Sequence, residues 1–286
     1  MNQSELEQTL SGLHLGSIHY FTQIGSTMNE ASAWAEQGAS DLSLVLADEQ
    51  TAGRGRQGRR WITTSGAALA FSLIMRPGPY LLAPSVSATG NPFPPKTVAR
   101  LTALGAVAVC SALHRCYQIP AEIKWPNDVL LARRKVAGVL VEANWQGDQL
   151  VAAILGIGIN VTPAAVPTDL ELAFPATSIE TELGLPVDQL GLLRAILEDL
   201  LAWREQLSSP AFLQCWEQWL AFRGEWVSIN QADGTWLEGQ ISEHPSLEPD
   251  GALRLQLHSG DIKYIQFGEV HVRPVTKTKG VRDDTR

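Results

Sequence analysis

Apolar and polar positions change their period several times along the chain, and each change predicts an element. Residues 18–24, IHYFTQI, read as a short strand. The following STMNEASAWAEQG has alanine-rich helix propensity, Thr27 and Glu30 at the spacing of a capping box, and Gly38 as a stop. LSLVLADEQ and GAALAFSLIMRP read as strands flanking an arginine-rich loop, which is tied at both ends and whose middle need not be ordered. From Val98 to Cys116 the pattern VARLTALGAVAVCSALHRC has one glycine and no alternation, which predicts a buried helix. Residues 83–95, APSVSATGNPFPP, read as a Pro/Gly/Ser-rich surface insertion.

AEIKWPNDVLLARRKVAGVLVEANWQGDQLVAAILGIGINV supplies several successive strands, with turns at Pro126–Asn127, Arg133–Arg134 and Gln146–Asp148. Two helices follow: one carries Leu190, Leu193, Ile196, Leu197 and Leu200, and the other, PAFLQCWEQWLAF, opens at Pro210. Their apolar stripes are expected to pack on the sheet. After Gly224, EWVSINQ, WLEGQIS, ALRLQLH, IKYIQF and EVHVRP alternate and are separated by turns, predicting five strands of a small barrel. The expected class is α+β: a mixed β-sheet packed against helices in residues 1–223, a small β domain in 224–275, and a disordered polar tail in 276–286.

Composition narrows the function. With 30 acidic against 22 basic residues the formal net charge is -8, which argues against a protein that works by binding nucleic-acid phosphates. The basic cluster at 54–60 is therefore local. Cys110, Cys116 and Cys215 show no C-x-x-C spacing, and an odd count fits a reduced, intracellular chain. The N-terminus lacks signal-peptide features and no apolar run is expected to reach membrane-spanning length, so a cytoplasmic protein is expected.

The six histidines lack metal-ligand spacing, and neither a G-x-S-x-G elbow nor a Walker loop occurs. GRGRQGRRW at 53–61 contains G-x-G-x-x-G, but Arg54, Arg56, Arg59 and Arg60 crowd it, a strand follows, and no acid lies near Gly78. It is not a dinucleotide turn. Glycines allow close backbone approach and arginines offer charged forks, so the loop suits an anion better than a solvated RGG-type segment.

In KWPND, 124–128, Asn127 and Asp128 leave a strand end where a carboxylate can meet Mg²⁺ or a ribose hydroxyl; an ordinary Asn-Asp turn explains them equally. Lys135 stands at the mouth of the apolar run VAGVLVEA, either facing a pocket or exposed on a hairpin. GIGIN, 156–160, implies close approach of a ligand or backbone, or a bulge in a packed sheet, with Asn160 able to pair with an adenine edge.

GSTMNEA, DEQTAGRGRQGRRW, KWPND, RRKVAGVLVE and GIGIN, in this order, resemble the motifs of biotin protein ligases, and the C-terminal β stretch with its GEV is similar too. The resemblance covers roughly residues 17–275. It implies a class II synthetase-like catalytic fold with an SH3-like C-terminal barrel. It also implies a two-step reaction in which biotin and ATP give biotinyl-5′-AMP and pyrophosphate, and a carrier lysine then takes the biotinyl group. By position, Ser26, Thr27 and Gln50 match residues that bond the biotin ureido head, with Gly53, Arg54 and Gly138 assisting.

Lys135 matches the lysine at the biotin carboxylate and phosphoryl centre, with Arg54 and Arg56 as further catalytic candidates. Arg56 and Arg59 match loop positions at the phosphates, Trp61 and Asn160 match adenine contacts, and Asn127 and Asp128 match the ribose, phosphate and transient Mg²⁺ site. The implied partner is the biotin carboxyl carrier protein of acetyl-CoA carboxylase, with no specific DNA and no membrane; a homodimer stays open. Only about 16 residues precede the first strand, so the DNA-binding helix-turn-helix of bifunctional members is not expected. Two competitors remain: a lipoate ligase-like acyltransferase and a noncatalytic biotin or nucleotide-binding module.

Overall fold

Seven strands form one mixed sheet in the computed structural model, which describes residues 1–78, 95–146, 149–168, 172, 174–231, 234–266 and 271–274. The chain enters through α1 (Gln3–Thr9), β1 (Ile18–Phe21), α2 (Thr27–Glu36), β2 (Leu44–Ala47) and β3 (Ala68–Met75). It crosses through α3 (Pro95–Tyr117) to β4 (Ala121–Lys124), β5 (Asp128–Leu131), β6 (Arg134–Gln146) and β7 (Gln149–Asn160). Then come α4 (Ile179–Leu183), α5 (Gln189–Arg204) and α6 (Pro210–Gln218). The sheet order is β1-β2-β3-β7-β6-β5-β4. Only β1 and β2 run parallel, because α2 carries the chain back between them, so the sheet is mixed as expected.

Both sheet edges are covered by the chain itself. At β1 the Gln3 carboxamide donates to Ile18 O at 2.9 Å and accepts from Tyr20 N at 3.2 Å, imitating a neighbouring strand. At β4, Ile123 N donates to Trp219 O at 2.6 Å and Ala221 N to Ile123 O at 2.9 Å.

Three expectations need correction, and α1, with a capping box formed by Asn2 and Glu5, is unanticipated. The expected box at Thr27 and Glu30 does not form: Ser26 is the N-cap of α2, without a side-chain cap bond, because Thr27 turns to Gln50 instead. α5 and α6 pack on α3, which itself covers the sheet, so the chain adds a layer where direct helix-on-sheet packing was expected. Finally, Thr97–Tyr117 is long and apolar enough to cross a membrane, contrary to expectation; 78% of that apolar window is buried, as in a core helix.

The C-terminal pattern forms β8 (Trp226–Asn230), β9 (Trp236–Ile241), β10 (Leu253–Gln256), β11 (Ile262–Ile265) and β12 (His271–Pro274). They make a five-stranded antiparallel sheet ordered β11-β10-β9-β8-β12, which fits the expected SH3-like module. Its buried Val227, Ile229, Leu253 and Leu255 join the same apolar cluster as α3 and α5. Trp125 Nε1 donates across to Gly251 O at 3.1 Å. The proline-rich insertion up to residue 94, residues 147–148 of one expected turn, the GEV at 268–270 and the tail lie outside the described residues.

Candidate functional site

The two faces of the large sheet are used differently. α3 fills one face, and its Gly105 lies against Leu155, Val139 and Ile157. On the other, α2 packs Met28, Ala31 and Ala35 over Val45, Ile74, Ala152 and Ile154. Beside the start of α2, whose Met28 reaches Gly156, three glycines (Gly138, Gly156 and Gly158) interrupt the side chains of the sheet. There the cross-strand row Ala70–Gly158–Gly138–Asp128 runs beside the row Ser72–Gly156–Leu140. A Cβ at Gly156 would collide with Met28 Sδ, and one at Gly158 with the Trp61 ring. The glycines thus make the floor of a cleft.

At one end of this floor lies a cationic cluster. Asp128 Oδ1 is 2.6 Å from Lys135 Nζ, and its Oδ2 is 2.9 Å from Lys124 Nζ. Burial alone would raise the Asp128 carboxyl, but the neighbouring ammonium groups, Lys135 foremost, hold it well below the usual carboxylate range.

A β-bulge explains how Lys135 arrives there. Val129 pairs with Ala137 but Leu130 pairs with Lys135, so one residue of β6 is skipped. Lys135 and Gly138, three apart and on opposite faces of a regular strand, therefore share the cleft face. The backbone of Lys135 is fixed from outside: its N–H donates to Pro175 O and its carbonyl accepts from Thr177 N. Beside it, Arg56 Nη1 donates to Asn127 Oδ1 at 3.1 Å, while Asn127 Nδ2 donates to Val139 O at 3.1 Å.

The other end is polar and neutral. Gln50 Oε1 accepts from the Thr27 N–H at 2.9 Å and the Thr27 hydroxyl at 3.1 Å, and Gln50 Nε2 donates to Thr63 Oγ1 at 3.0 Å. Ser72 donates to Thr27 Oγ1 at 2.9 Å. The Ser26 hydroxyl is buried without a hydrogen-bond partner, which costs free energy. Ser72 and Asp128 lie three strand spacings apart, roughly 14 Å, so the cleft is elongated with a neutral and a charged end.

The arginine loop forms the roof. Gly55 N donates to Arg59 O and Trp61 N to Gly53 O, and Arg56–Gly58 make one 3₁₀ turn with Gln57 and Gly58 at φ 57° and 69°. Arg54 faces the rim, donating to Asn29 Oδ1 at 2.9 Å and pairing with Glu142 at 2.5 Å. Trp61 lies over Gly138 and Gly158, with Lys135 Nζ 5.6 Å from its ring and its own Nε1 buried without a hydrogen-bond partner.

Thr27, Gln50, Arg54, Arg56, Arg59, Trp61, Asn127, Asp128, Lys135 and Gly138, all singled out from the sequence, line this one cleft. Three others do not. Ser26 sits behind the wall as the α2 cap, Gly53 lines an adjoining depression under the loop, and buried Asn160 donates to Thr177 O at 3.1 Å. Lys124, Thr63 and Ser72 were missed. Lys124 had a signal, standing in the same KWPND stretch as Asp128, whereas no motif marks Thr63 or Ser72. The metal expectation also meets an obstacle: both Asp128 oxygens are engaged by lysines, and no group of three His, Cys, Asp or Glu occurs among the described residues. The residues present do not fit a protein-held divalent ion.

Residues 20–160 match the model of the Biotin/lipoate A/B protein ligase family. The chain is 35% identical to the bifunctional ligase/repressor BirA of Bacillus subtilis over 95% of this chain and 79% of the relative. Its counterpart from Bacillus spizizenii aligns over 57% of the relative's length. Identity is 36% to the biotin–[acetyl-CoA-carboxylase] ligase of Paracoccus denitrificans, over 64% of this chain and 72% of the relative. Among solved structures, the Aquifex aeolicus biotin protein ligase in complex with biotin and ATP superposes with a TM-score of 0.71 at 26% identity, covering 91% of this chain and 99% of that one.

Proposed function

Because this chain belongs to the biotin protein ligases of the biotin/lipoate ligase family, we propose that it activates biotin with ATP and biotinylates a carrier protein. In the first step a biotin carboxylate oxygen bonds to the α-phosphorus of ATP and pyrophosphate leaves, giving biotinyl-5′-AMP. In the second the amine of a carrier lysine attacks the acyl carbon and AMP leaves, so no covalent enzyme intermediate is needed. The two-ended cleft carries this reading: neutral donors and acceptors at Thr27 and Gln50 suit a ureido ring, and Lys135 at the far end suits an acid and a phosphate.

Lys135, fixed by Asp128, offsets the charge that grows at the α-phosphoryl group. Arg56 and Arg59 are assigned to the phosphates, with Arg54 joining once it leaves Glu142. Trp61 is assigned to the adenine, with Asn160 behind it, and Asn127 to the ribose. The loop excludes water from the mixed anhydride. Magnesium enters as part of Mg-ATP, held by the phosphates. A lipoate chain would leave the Thr27–Gln50 polar set unmatched, which disfavours a lipoate ligase.

The partner we assign is the biotin carboxyl carrier protein of acetyl-CoA carboxylase, in the cytoplasm, and the net charge of -8 supports no role for DNA phosphates. The test is pyrophosphate release from Mg-ATP with biotin or lipoate, with mass spectrometry of the product. Biotinyl-AMP from biotin alone is expected; release with lipoate alone, or with neither acid, would overturn the reading.

A further inference from the structure

Lys124 has no part in the reaction as derived so far, yet it is among the least exposed charged residues of those described, at 6%. Its ammonium group is spent on Asp128 Oδ2 at 2.9 Å and lies 4.7 Å over the Phe174 ring. A buried ammonium is costly to keep unless it is paired, and Asp128 is the counter-charge that Lys124 meets. The charge count supplies a use. Arg56 and Arg59 stand over the same cleft, but Lys135 and Asp128 alone form a neutral pair, which would cancel the charge of Lys135 where the acid meets the α-phosphate. Two ammonium groups against one carboxylate leave one net positive charge, and the geometry turns it toward the cleft, since Lys135 is 26% exposed and Lys124 8% by side chain.

We infer that Lys124 is a positioning residue for adenylation: it offsets the Asp128 carboxylate so that Asp128 can hold Lys135 in place without cancelling its charge. The inference rests on the proposed biotin adenylation. It concerns charge rather than shape, and Lys124 sits opposite Asp128 at the mouth of the β4–β5 hairpin, where the two charges meet directly.

Steady-state pyrophosphate release by wild type, K124Q, K124R, D128N and K124Q/D128N tests it, with a thermal melt of each. K124Q should lower kcat at least about tenfold, up to about 10²-fold, with KM for biotin within about threefold. K124R should keep most of the rate. The decisive variant is K124Q/D128N, which removes both members of the offsetting pair and restores one net charge on Lys135. Its kcat should exceed that of K124Q by about tenfold, a coupling of ordinary size for residues in contact. K124M, of similar volume against Phe174, replaces K124Q if the amide does not fold. Unchanged kcat in K124Q, or additive losses in the double variant, would overturn the role of Lys124 while leaving the proposed function standing. A wild type inert toward biotin and ATP would overturn both.

Discussion

Lys135 and Asp128 touch at 2.6 Å, yet their substitutions are expected to behave differently. Lys135→Ala should lower kcat for biotinyl-AMP formation about 10²–10³-fold, with the fold retained by circular dichroism. Asp128→Asn should act mainly on stability, because it leaves two lysines crowded without a counter-charge; a loss of about 3 kcal/mol in denaturant melts is expected. The folded Asp128 carboxyl is depressed, so its contribution is full above the unfolded value near 3.9 and fades as pH falls toward the folded one. The stability gap between wild type and Asp128→Asn should thus be widest above about pH 5 and close progressively below about pH 4.

At this scale the sequence was informative where chemistry dictates residue type, as in the arginine loop, KWPND and Lys135. It was silent on Thr63 and Ser72, since a hydroxyl becomes part of a site only when pairing of β3 with β7 and closure of the loop bring it to Gln50 and Thr27.

Elements were legible where their period was long and clean. The α3 pattern, the two following helices and the five C-terminal strands all appear where they were read. What period alone could not show is which surface each element meets. The α5 stripe reads the same whether it faces a sheet or another helix, and only the folded chain shows it on α3. Leu197→Ala, fully buried in that layer, should cost about 2–4 kcal/mol in chemical denaturation, with little effect on KM.

The bulge in β6 was equally hidden, because a regular strand puts Lys135 and Gly138 on opposite faces and the skipped residue leaves no compositional trace. Gly158→Ala adds a methyl group under Trp61. It should displace that ring, shift the tryptophan emission and lower adenylation at least about tenfold, since overpacking of this kind costs about 1–3 kcal/mol.

Over the whole molecule, buried residues on both sides of the expected 223/224 boundary, Trp125 and Trp216 on one and Val227, Ile229, Leu253 and Leu255 on the other, belong to one apolar cluster. A single cooperative transition in calorimetry is therefore expected, and a chain ending at residue 223 should melt well below the intact protein. Two resolved transitions would contradict the shared core.

The two edge covers of the large sheet differ in when they become available during synthesis. Gln3 leaves the ribosome before β1 does, so that edge is protected from its first appearance. β4 must wait for Trp219 and Ala221, about one hundred residues later, which at translation rates of about 5–20 residues per second is roughly 5–20 s. For that interval the nascent chain presents an open, hydrogen-bonding strand, so slowed translation over residues 125–221 should raise its capture by chaperones and its loss to aggregates.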